Sequence, residues 1–353
     1  MPLFQKHLYE LDTYKPPLEG RSASEQLLLD FNERTLPVSD HIKAALCEFV
    51  NSGPIQKYPE YAEIEAKIAD YVGVETRQVM ITNGSDQGID VVARAALNSG
   101  DTAIIPAPSF AIYAQTAAVQ NARIISPRYT LEHGFPTASV LDSITDATRL
   151  IVIPQPNNPC GTTVPIDDIR RISEAAPNAV ILVDECYYEY SGLTVVDLVA
   201  EYSNLVVART FSKTWGLPSL RFGFLVSSED NICQLLKVRG PYDINQLAVV
   251  AVDAALAKPE YTKDYVEEVM HQSKPRLEAW LREKSIVFWP SGGNYLWAFP
   301  DQPEALASFL REKHIRVRPK KNAEGALGLR ITLGTLSQTE QLISQISSFY
   351  GNR

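Results

Sequence analysis

Three residues of this sequence have the types and positions needed for imine chemistry. Lys213 lies in the segment TFSKTWG directly after the apolar run NLVVA, where desolvation would lower the pKa of its amine and favour Schiff-base formation. Asp184 ends the apolar run AVILVD, so its carboxylate could hold a protonated pyridine nitrogen and make that ring an electron sink. Tyr187 follows in the same segment and can hydrogen-bond a phenolic oxygen. Together these side chains predict a site for a pyridoxal cofactor.

The segment GSDQG, which follows the run QVMIT, is typical of a phosphate cradle. It begins a predicted helix with Ser85 and Asp86, and backbone N–H groups at a helix start attract anions. Arg221 can reach the same phosphate if the loop after Lys213 folds back, and Phe110 can stack on a flat ring. Taken one at a time, these residues are equally typical of a capped helix, a surface loop or a core position. Their coincidence at successive strand ends is what favours a site.

The elements that position these residues are strands of an α/β fold. Most of the strand-like runs are apolar on both faces, as strands covered by helices on both sides are. Helical patterns lie between most of them, which predicts a mostly parallel, seven-stranded sheet. Ligands bind beyond the carboxyl ends of such strands, so the candidate residues should converge at one edge. The seven runs are QVMIT, TAIIP, ARIIS, LIVIP, AVILVD, NLVVA and FGFLV.

The chain divides into three predicted parts. Residues 1–30 are mixed in character and form an N-terminal arm assigned to a small domain. Residues 31–244 form the large, cofactor-binding domain with its helix-covered sheet. Residues 245–353 form a smaller α+β domain, with strands at IVFW, NYLWAF and LRITL.

Composition argues against several classes of partner. The formal net charge of −9 does not favour nucleic-acid binding. The four cysteines form no C-x-x-C pair and the five histidines are scattered, so no metal site is predicted. No apolar run approaches the roughly 20 residues that span a bilayer, and the first residues lack a secretory pattern. We therefore expect a soluble cytoplasmic protein without membrane or nucleic-acid partners.

With these residues in place, the sequence resembles the aspartate-aminotransferase superfamily, pyridoxal-phosphate fold type I, and within it the histidinol-phosphate aminotransferase family. The resemblance implies a pyridoxal 5'-phosphate-dependent aminotransferase of amino acid biosynthesis. Such an enzyme moves an amino group between an amino acid or amino-phosphate donor and a 2-oxo acid. The likeness spans nearly the whole chain through LDTYKPP, YPEY, NGSDQ, PNNPCGT, VDECYYEY, RTFSKTWGLPSLRFG, PYDINQLA, SGGNYLW, VRP and LRITLGT.

The resemblance also implies a role for each candidate residue. Lys213 would form the Schiff base and move protons, with Asp184 and Tyr187 completing the catalytic set. The implied cofactor contacts are Ser85, Asp86, Phe110, Asn157, Asp184, Tyr187, Thr210, Ser212, Lys213 and Arg221, joined by Tyr58 from the neighbouring subunit of a homodimer. The implied substrate contacts are Tyr14, Asn32, Arg34, Asn157, Arg318 and Arg330.

Departures from the family pattern leave the substrate open. The segment FNERTLP has Arg34 and Thr35 where the family usually has Asn-Pro, and Arg34 adds a positive charge in a stretch that lies near the substrate in the family. Two alternatives keep the same cofactor residues: an aromatic or broad-range aminotransferase, and a phosphothreonine-type decarboxylase. A non-catalytic regulator on the same fold is a third, but such proteins carry an added DNA-binding segment and the recognisable fold here begins by about residue 10.

Overall fold

Two β-sheets organise the chain in the computed structural model, which describes residues 3–21 and 26–351. The strands are β1 (Leu27–Leu29), β2 (Val79–Thr82), β3 (Thr102–Ile104), β4 (Arg123–Ile125), β5 (Thr148–Pro154), β6 (Val180–Asp184), β7 (Leu205–Thr210), β8 (Gly223–Val226), β9 (Val287–Trp289), β10 (Tyr295–Phe299), β11 (Ile315–Lys321) and β12 (Leu327–Thr332).

Helices cover both sheets. They are α1 (Asp40–Ser52), α2 (Ala62–Val72), α3 (Gly84–Ala96), α4 (Ala111–Val119), α5 (Thr137–Asp142), α6 (Ile166–Ala175), α7 (Tyr188–Ser191), α8 (Glu229–Leu235), α9 (Gln246–Ala257), α10 (Glu260–Glu268), α11 (Lys274–Glu283), α12 (Pro303–Glu312) and α13 (Leu336–Gly351). A π-helical turn, Val269–Ser273, joins α10 to α11. Within the described residues, no helix has the length and apolar character needed to cross a bilayer.

The larger sheet has seven strands in the order β2-β8-β7-β6-β5-β3-β4. All pairings from β7 to β4 are parallel, and β8 runs antiparallel to both β7 and β2. On β6, Ile181 and Val183 enter one hydrophobic core while Leu182 between them enters another. Alternate side chains of a strand point to opposite faces, so a strand buried on both sides must be apolar throughout. The predicted mostly parallel α/β sheet is confirmed.

The smaller sheet has the order β1-β11-β12-β10-β9. Only β1 pairs in parallel there, with Leu29 opposite Val317, and the other pairings are antiparallel. Leu29 is buried in the core of this second domain. The short run that precedes residue 30 is thus a strand of the small sheet. It lies far along the chain from the other four strands of that sheet, β9 to β12.

Helix α9 lies on the other side of the boundary predicted at residue 245. Its buried side chains Ala248, Val252 and Ala255 belong to the core of the large domain. Helix α9 therefore packs with the large domain, although it follows residue 245. An apolar helix shows in its sequence that it is buried, but it does not show which of two cores buries it.

A buried ion pair braces the carboxyl ends of β6 and β7. Arg209 Nη2 lies 2.8 Å from Glu185 Oε2, and the two side chains are 4% and 0% exposed. Glu185 also accepts hydrogen bonds from the Val195 backbone at 2.7 Å and the Thr194 hydroxyl at 2.9 Å. Glu185 directly follows Asp184, the last residue of β6, and Arg209 lies near the end of β7, shortly before the turn that carries Lys213. This pair therefore holds the two chemically important strand ends side by side.

Replacing Arg209 by Met should destabilise the protein strongly, because it leaves the Glu185 carboxylate buried without a cation. A loss of about 3–5 kcal/mol is expected for one partner of a buried pair. The measurement is the free energy of unfolding in urea. Arg170→Met is the matched control, since Arg170 pairs with Glu201 at the surface and exposed pairs contribute at most about 1 kcal/mol. Equal losses for the two variants would contradict the prediction.

Candidate active site

A cavity of about 460 Å³ lies at the carboxyl ends of the central strands, where the two domains meet. Side chains that follow β5, β6 and β7 line one side of it, and side chains of β11 and β12 line the other. It brings together most of the predicted site residues: Tyr14, Ser85, Asp86, Phe110, Asp184, Tyr187, Thr210, Ser212, Lys213, Arg221, Arg318 and Arg330.

Lys213 stands on a turn that is held by its aromatic neighbours. Phe211 and Trp215 are 0% and 1% exposed and fix the turn against the large core. The Lys213 ammonium donates a hydrogen bond of 2.9 Å to the carbonyl of Phe31. Although part of the side chain faces the cavity, burial of the amine lowers its pKa below the ordinary lysine value, and the positive charge of Arg330 lowers it further. The amine is therefore suited to act as a nucleophile or base near neutral pH.

Asp184 presents a buried carboxylate at the end of β6. Its Oδ2 accepts a hydrogen bond of 2.5 Å from the Tyr113 hydroxyl, and its Oδ1 accepts one of 2.9 Å from the Cys186 backbone. Burial raises the pKa of this carboxyl group. No cationic side chain of the described residues pairs with it, so it suits a ligand that brings a positive charge of its own.

The start of α3 and Arg221 form a cradle for an anion. Arg221 adopts a left-handed backbone conformation with φ of 56°, which costs roughly 1–3 kcal/mol and persists only where the surroundings impose it. This turn returns its guanidinium to α3, where it lies 3.0 Å from Asp86 Oδ2. Gly84 has a φ of 75°, a left-handed conformation that favours glycine, and a Cβ atom there would stand 2.5 Å from Arg221 Nη2. Free N–H groups at a helix start favour phosphate.

The structure separates the two asparagines of the PNNPCG turn. Asn157 is 0% exposed, and its amide group bonds to Ser109 and to the Pro108 carbonyl at 2.9 Å each. The sequence predicts that Asn157 contacts cofactor and substrate, whereas the structure places it outside the residues that line the cavity. Asn158 lines the cavity instead, and its Oδ1 accepts a hydrogen bond of 2.5 Å from Arg330. Its amide also lies 3.4 Å from the hydroxyl of Tyr187.

Two side chains of the segment FNERT, Asn32 and Arg34, contact residues around the cavity but do not line it. Asn32 donates a hydrogen bond of 2.9 Å to the Tyr187 hydroxyl, so it positions that residue and does not line the cavity. Arg34 turns away from the cavity altogether: its guanidinium lies 4.3 Å from the Tyr265 ring centroid and 3.2 Å from the Tyr261 carbonyl. The Arg34 guanidinium, predicted as a substrate contact, therefore lies outside the set of side chains that line the cavity.

Tyr58 lies outside the cavity. It is 76% exposed and its ring packs on Tyr242 at a centroid distance of 4.5 Å. Within one subunit the structure does not bring it to the other site residues.

The predicted site residues left out other side chains that line the cavity, among them Tyr113, Asn158 and Lys320. Tyr113 follows Phe110 at helical spacing, and Lys320 follows Arg318 at strand spacing, so periodicity could have found both. Burial, together with the charges of Arg318 and Arg330, lowers the pKa of Lys320 to about 8.

Comparisons with known proteins match this geometry. Residues 24–346 match the family described as aminotransferase class I and II. Histidinol-phosphate aminotransferase 2 of Hydrogenovibrio crunogenus is 32% identical over 97% of this chain and 94% of its own length. The structure of histidinol-phosphate aminotransferase from Sinorhizobium meliloti in complex with pyridoxal-5'-phosphate aligns with a TM-score of 0.86 at 19% identity, over 98% of this chain and 96% of that one. The L-threonine-O-3-phosphate decarboxylase from Porphyromonas gingivalis shares the fold with a TM-score of 0.78 at 21% identity, over 92% and 99%.

The lowered pKa of Lys213 predicts unusual reactivity in the ligand-free protein. As pH rises, acetylation of Lys213 should reach half its maximal rate below pH 10.5, the ordinary lysine value, because burial favours the neutral amine. Mass spectrometry of a digest labelled at a series of pH values measures this, with the peptide of exposed Lys57 as reference. A midpoint at or above 10.5 would contradict the prediction.

Proposed function

We propose that the amino donor of this protein carries a phosphate ester. The premise is that the chain belongs to the class I and II aminotransferases and is similar to their histidinol-phosphate members. It is a pyridoxal-phosphate-dependent aminotransferase. The proposal is that the donor is histidinol phosphate or a compound of the same charge pattern, and that a 2-oxo acid accepts the amino group.

Arg330 carries the substrate proposal. It is 5% exposed, and its terminal nitrogens bond to Asn158 and to the Asp30 carbonyl at 2.5 Å each. Its Nε is buried without a hydrogen-bond partner in the described part of the chain. Arg318 stands directly opposite on the neighbouring strand and also lines the cavity. Two guanidinium groups that face a cavity, and that form no ion pair with a carboxylate in the described part of the chain, suit an anionic substrate.

The cavity residues fit pyridoxal phosphate at three points. Lys213 would hold its aldehyde carbon, Asp184 its ring nitrogen, and the start of α3 with Arg221 its phosphate. Thr210 and Ser212 line the same region, and Phe110 is placed to cover the ring. When bound, the cofactor supplies an electron sink that stabilises negative charge at the substrate's α-carbon.

The chain's own groups would then bind the substrate and move its protons. Arg330 would orient the anionic end of the substrate, with Asn158 fixing the guanidinium. Lys213 Nζ, whose pKa is lowered, would take the proton from the α-carbon. Burial raises the pKa of the Tyr187 hydroxyl, so this group stays protonated and would donate a hydrogen bond to the cofactor's phenolic oxygen.

We also propose that the enzyme is a cytoplasmic homodimer with shared active sites. Tyr58 supports the dimer, because an aromatic side chain that is 76% exposed beside a second exposed ring is suited to contact a neighbouring subunit. All four cysteines are free of disulfides, which agrees with a reducing compartment. The similarity to histidinol-phosphate aminotransferases also predicts that the enzyme acts in amino acid biosynthesis.

The first experiment is to follow the absorbance of the purified enzyme while amino donors are added one by one. Histidinol phosphate should convert the bound cofactor from its aldehyde to its amine form, and 2-oxoglutarate should reverse the change. Lys213→Ala should slow the conversion by at least about 10²–10⁴-fold, since proton transfer from the α-carbon loses its base. Lys43→Ala, which alters a surface pair with Asp40, is the control. Carbon dioxide release without oxo-acid formation would indicate a decarboxylase and overturn the assignment.

The dimer proposal predicts an effect of Tyr58→Phe on cofactor affinity. If the hydroxyl reaches the cofactor phosphate of the neighbouring subunit, its removal should raise the dissociation constant of pyridoxal phosphate by about tenfold, as expected for a hydrogen bond to a charged group. Titration of the cofactor-free protein measures this. Tyr242→Phe is the matched control, because its ring packs beside Tyr58. An unchanged affinity for Tyr58→Phe would contradict the proposed role.

A further inference from the structure

We propose that Lys320, together with Arg318, is a specificity-determining residue that selects amino donors whose distal group is a dianionic phosphate ester. The inference rests on the proposed function and deepens it by naming the residue that distinguishes a dianion from a single carboxylate. Nothing in the motifs that define the family resemblance marks residue 320.

The placement of Lys320 follows from strand geometry. On β11, Arg318 and Lys320 are two residues apart, so their side chains leave the same face of the sheet. Arg330 on β12 is the direct cross-strand partner of Arg318, and cross-strand partners share a face. All three side chains line the cavity. Lys321, the next residue, is exposed and leaves the opposite face.

Like charges placed directly across a strand pair destabilise a sheet. Here two arginines stand opposite each other and a lysine extends the row, yet none of the three forms an ion pair with a carboxylate of the described residues. Burial and mutual repulsion lower the pKa of Lys320 to about 8. A cluster that repels itself inside a cavity is explained by an anion that binds there.

The nearest carboxylates are already engaged. Arg21 pairs with Asp30 at 3.1 Å and also with Glu33, and it packs over the Phe31 ring at 4.4 Å from the centroid. Arg318 lies 5.2 Å from the same ring centroid on the cavity side. Asp30 and Glu33 are therefore both held by Arg21, and within the described residues neither carboxylate forms an ion pair with Arg318 or Lys320.

The number of cations sets the preference. Arg330 with its Asn158 brace is sufficient for a single negative charge. A phosphate ester at neutral pH carries a second charge and three acceptor oxygens, which Arg330 alone leaves partly unpaired. Lys320 provides the additional charge next to Arg318, so its removal should weaken phosphate donors more than monocarboxylate donors.

The kinetic test compares Lys320→Met with Lys321→Met and Lys320→Arg. For each variant, kcat/KM is measured for histidinol phosphate, for histidinol and for phenylalanine, each with 2-oxoglutarate. Lys320→Met should lower the value for histidinol phosphate by about 10- to 100-fold, the range for a lost hydrogen bond to a charged group. It should change the values for the other two donors by less than about threefold. Lys320→Arg should restore most of the loss, and Lys321→Met should have no effect.

A binding test separates this inference from the proposed function. With the cofactor bound, inorganic phosphate should raise the melting temperature of the wild-type enzyme and of Lys321→Met, and raise that of Lys320→Met much less. An equal rise in all three overturns the role of Lys320. If the wild type transfers amino groups but Lys320→Met slows every donor equally, the inference fails and the aminotransferase assignment stands. If no donor reacts with the wild type, the proposed function fails, while the thermal shift still decides whether Lys320 binds phosphate.

Discussion

Burial of the Lys213 amine against a backbone carbonyl is the interaction on which the rest of the site depends. An ammonium group in that position is costly, so its pKa falls and the neutral form becomes available. The carbonyl that receives it belongs to Phe31, in the segment that connects the small sheet to the large domain. That segment is held to the small domain by the bond from the Asn32 backbone to Thr332, of 2.9 Å. Both domains must therefore be in place before the amine is correctly surrounded.

Charge is distributed unevenly around this amine, and the distribution determines what the cavity can hold. Asp184 provides negative charge at the floor of the large domain, whereas Arg221 and the start of α3 provide positive potential at one wall. Arg318, Lys320 and Arg330 provide a second positive region on the small domain. A ligand with a cationic ring nitrogen and a phosphate fits the first two regions, and an anionic substrate fits the third. The two groups of cations belong to different sheets, since Arg221 lies between β7 and β8 of the large sheet, whereas the other three lie on β11 and β12 of the small sheet.

The same framework explains why a protein can tolerate so many unpaired charges in one place. The Arg209–Glu185 pair is fully enclosed and locks β6 beside β7, so the strand ends that carry Asp184 and Lys213 cannot spread apart. Trp215 and Phe211 anchor the turn on the other side. These buried contacts stabilise the fold and offset the unfavourable free energy of the repelling charges in the cavity.

The sequence was sufficient to predict the sheet, the cofactor and half of the residues that line the cavity. The features that carried these predictions were the apolar runs of the seven strands, the residues that follow them, and the pairing of a lysine segment with PNNPCG. These features depend on local patterns, because a strand buried on both faces must be apolar and the residues after parallel strands must meet at one edge. The sequence could not tell Asn157 from Asn158, since neighbouring residues in a turn point in different directions. It could not show that Arg34 packs against Tyr265, that α9 joins the large core, or that Lys320 enters the cavity. Those outcomes depend on contacts between residues far apart along the chain, and only the tertiary structure decides them.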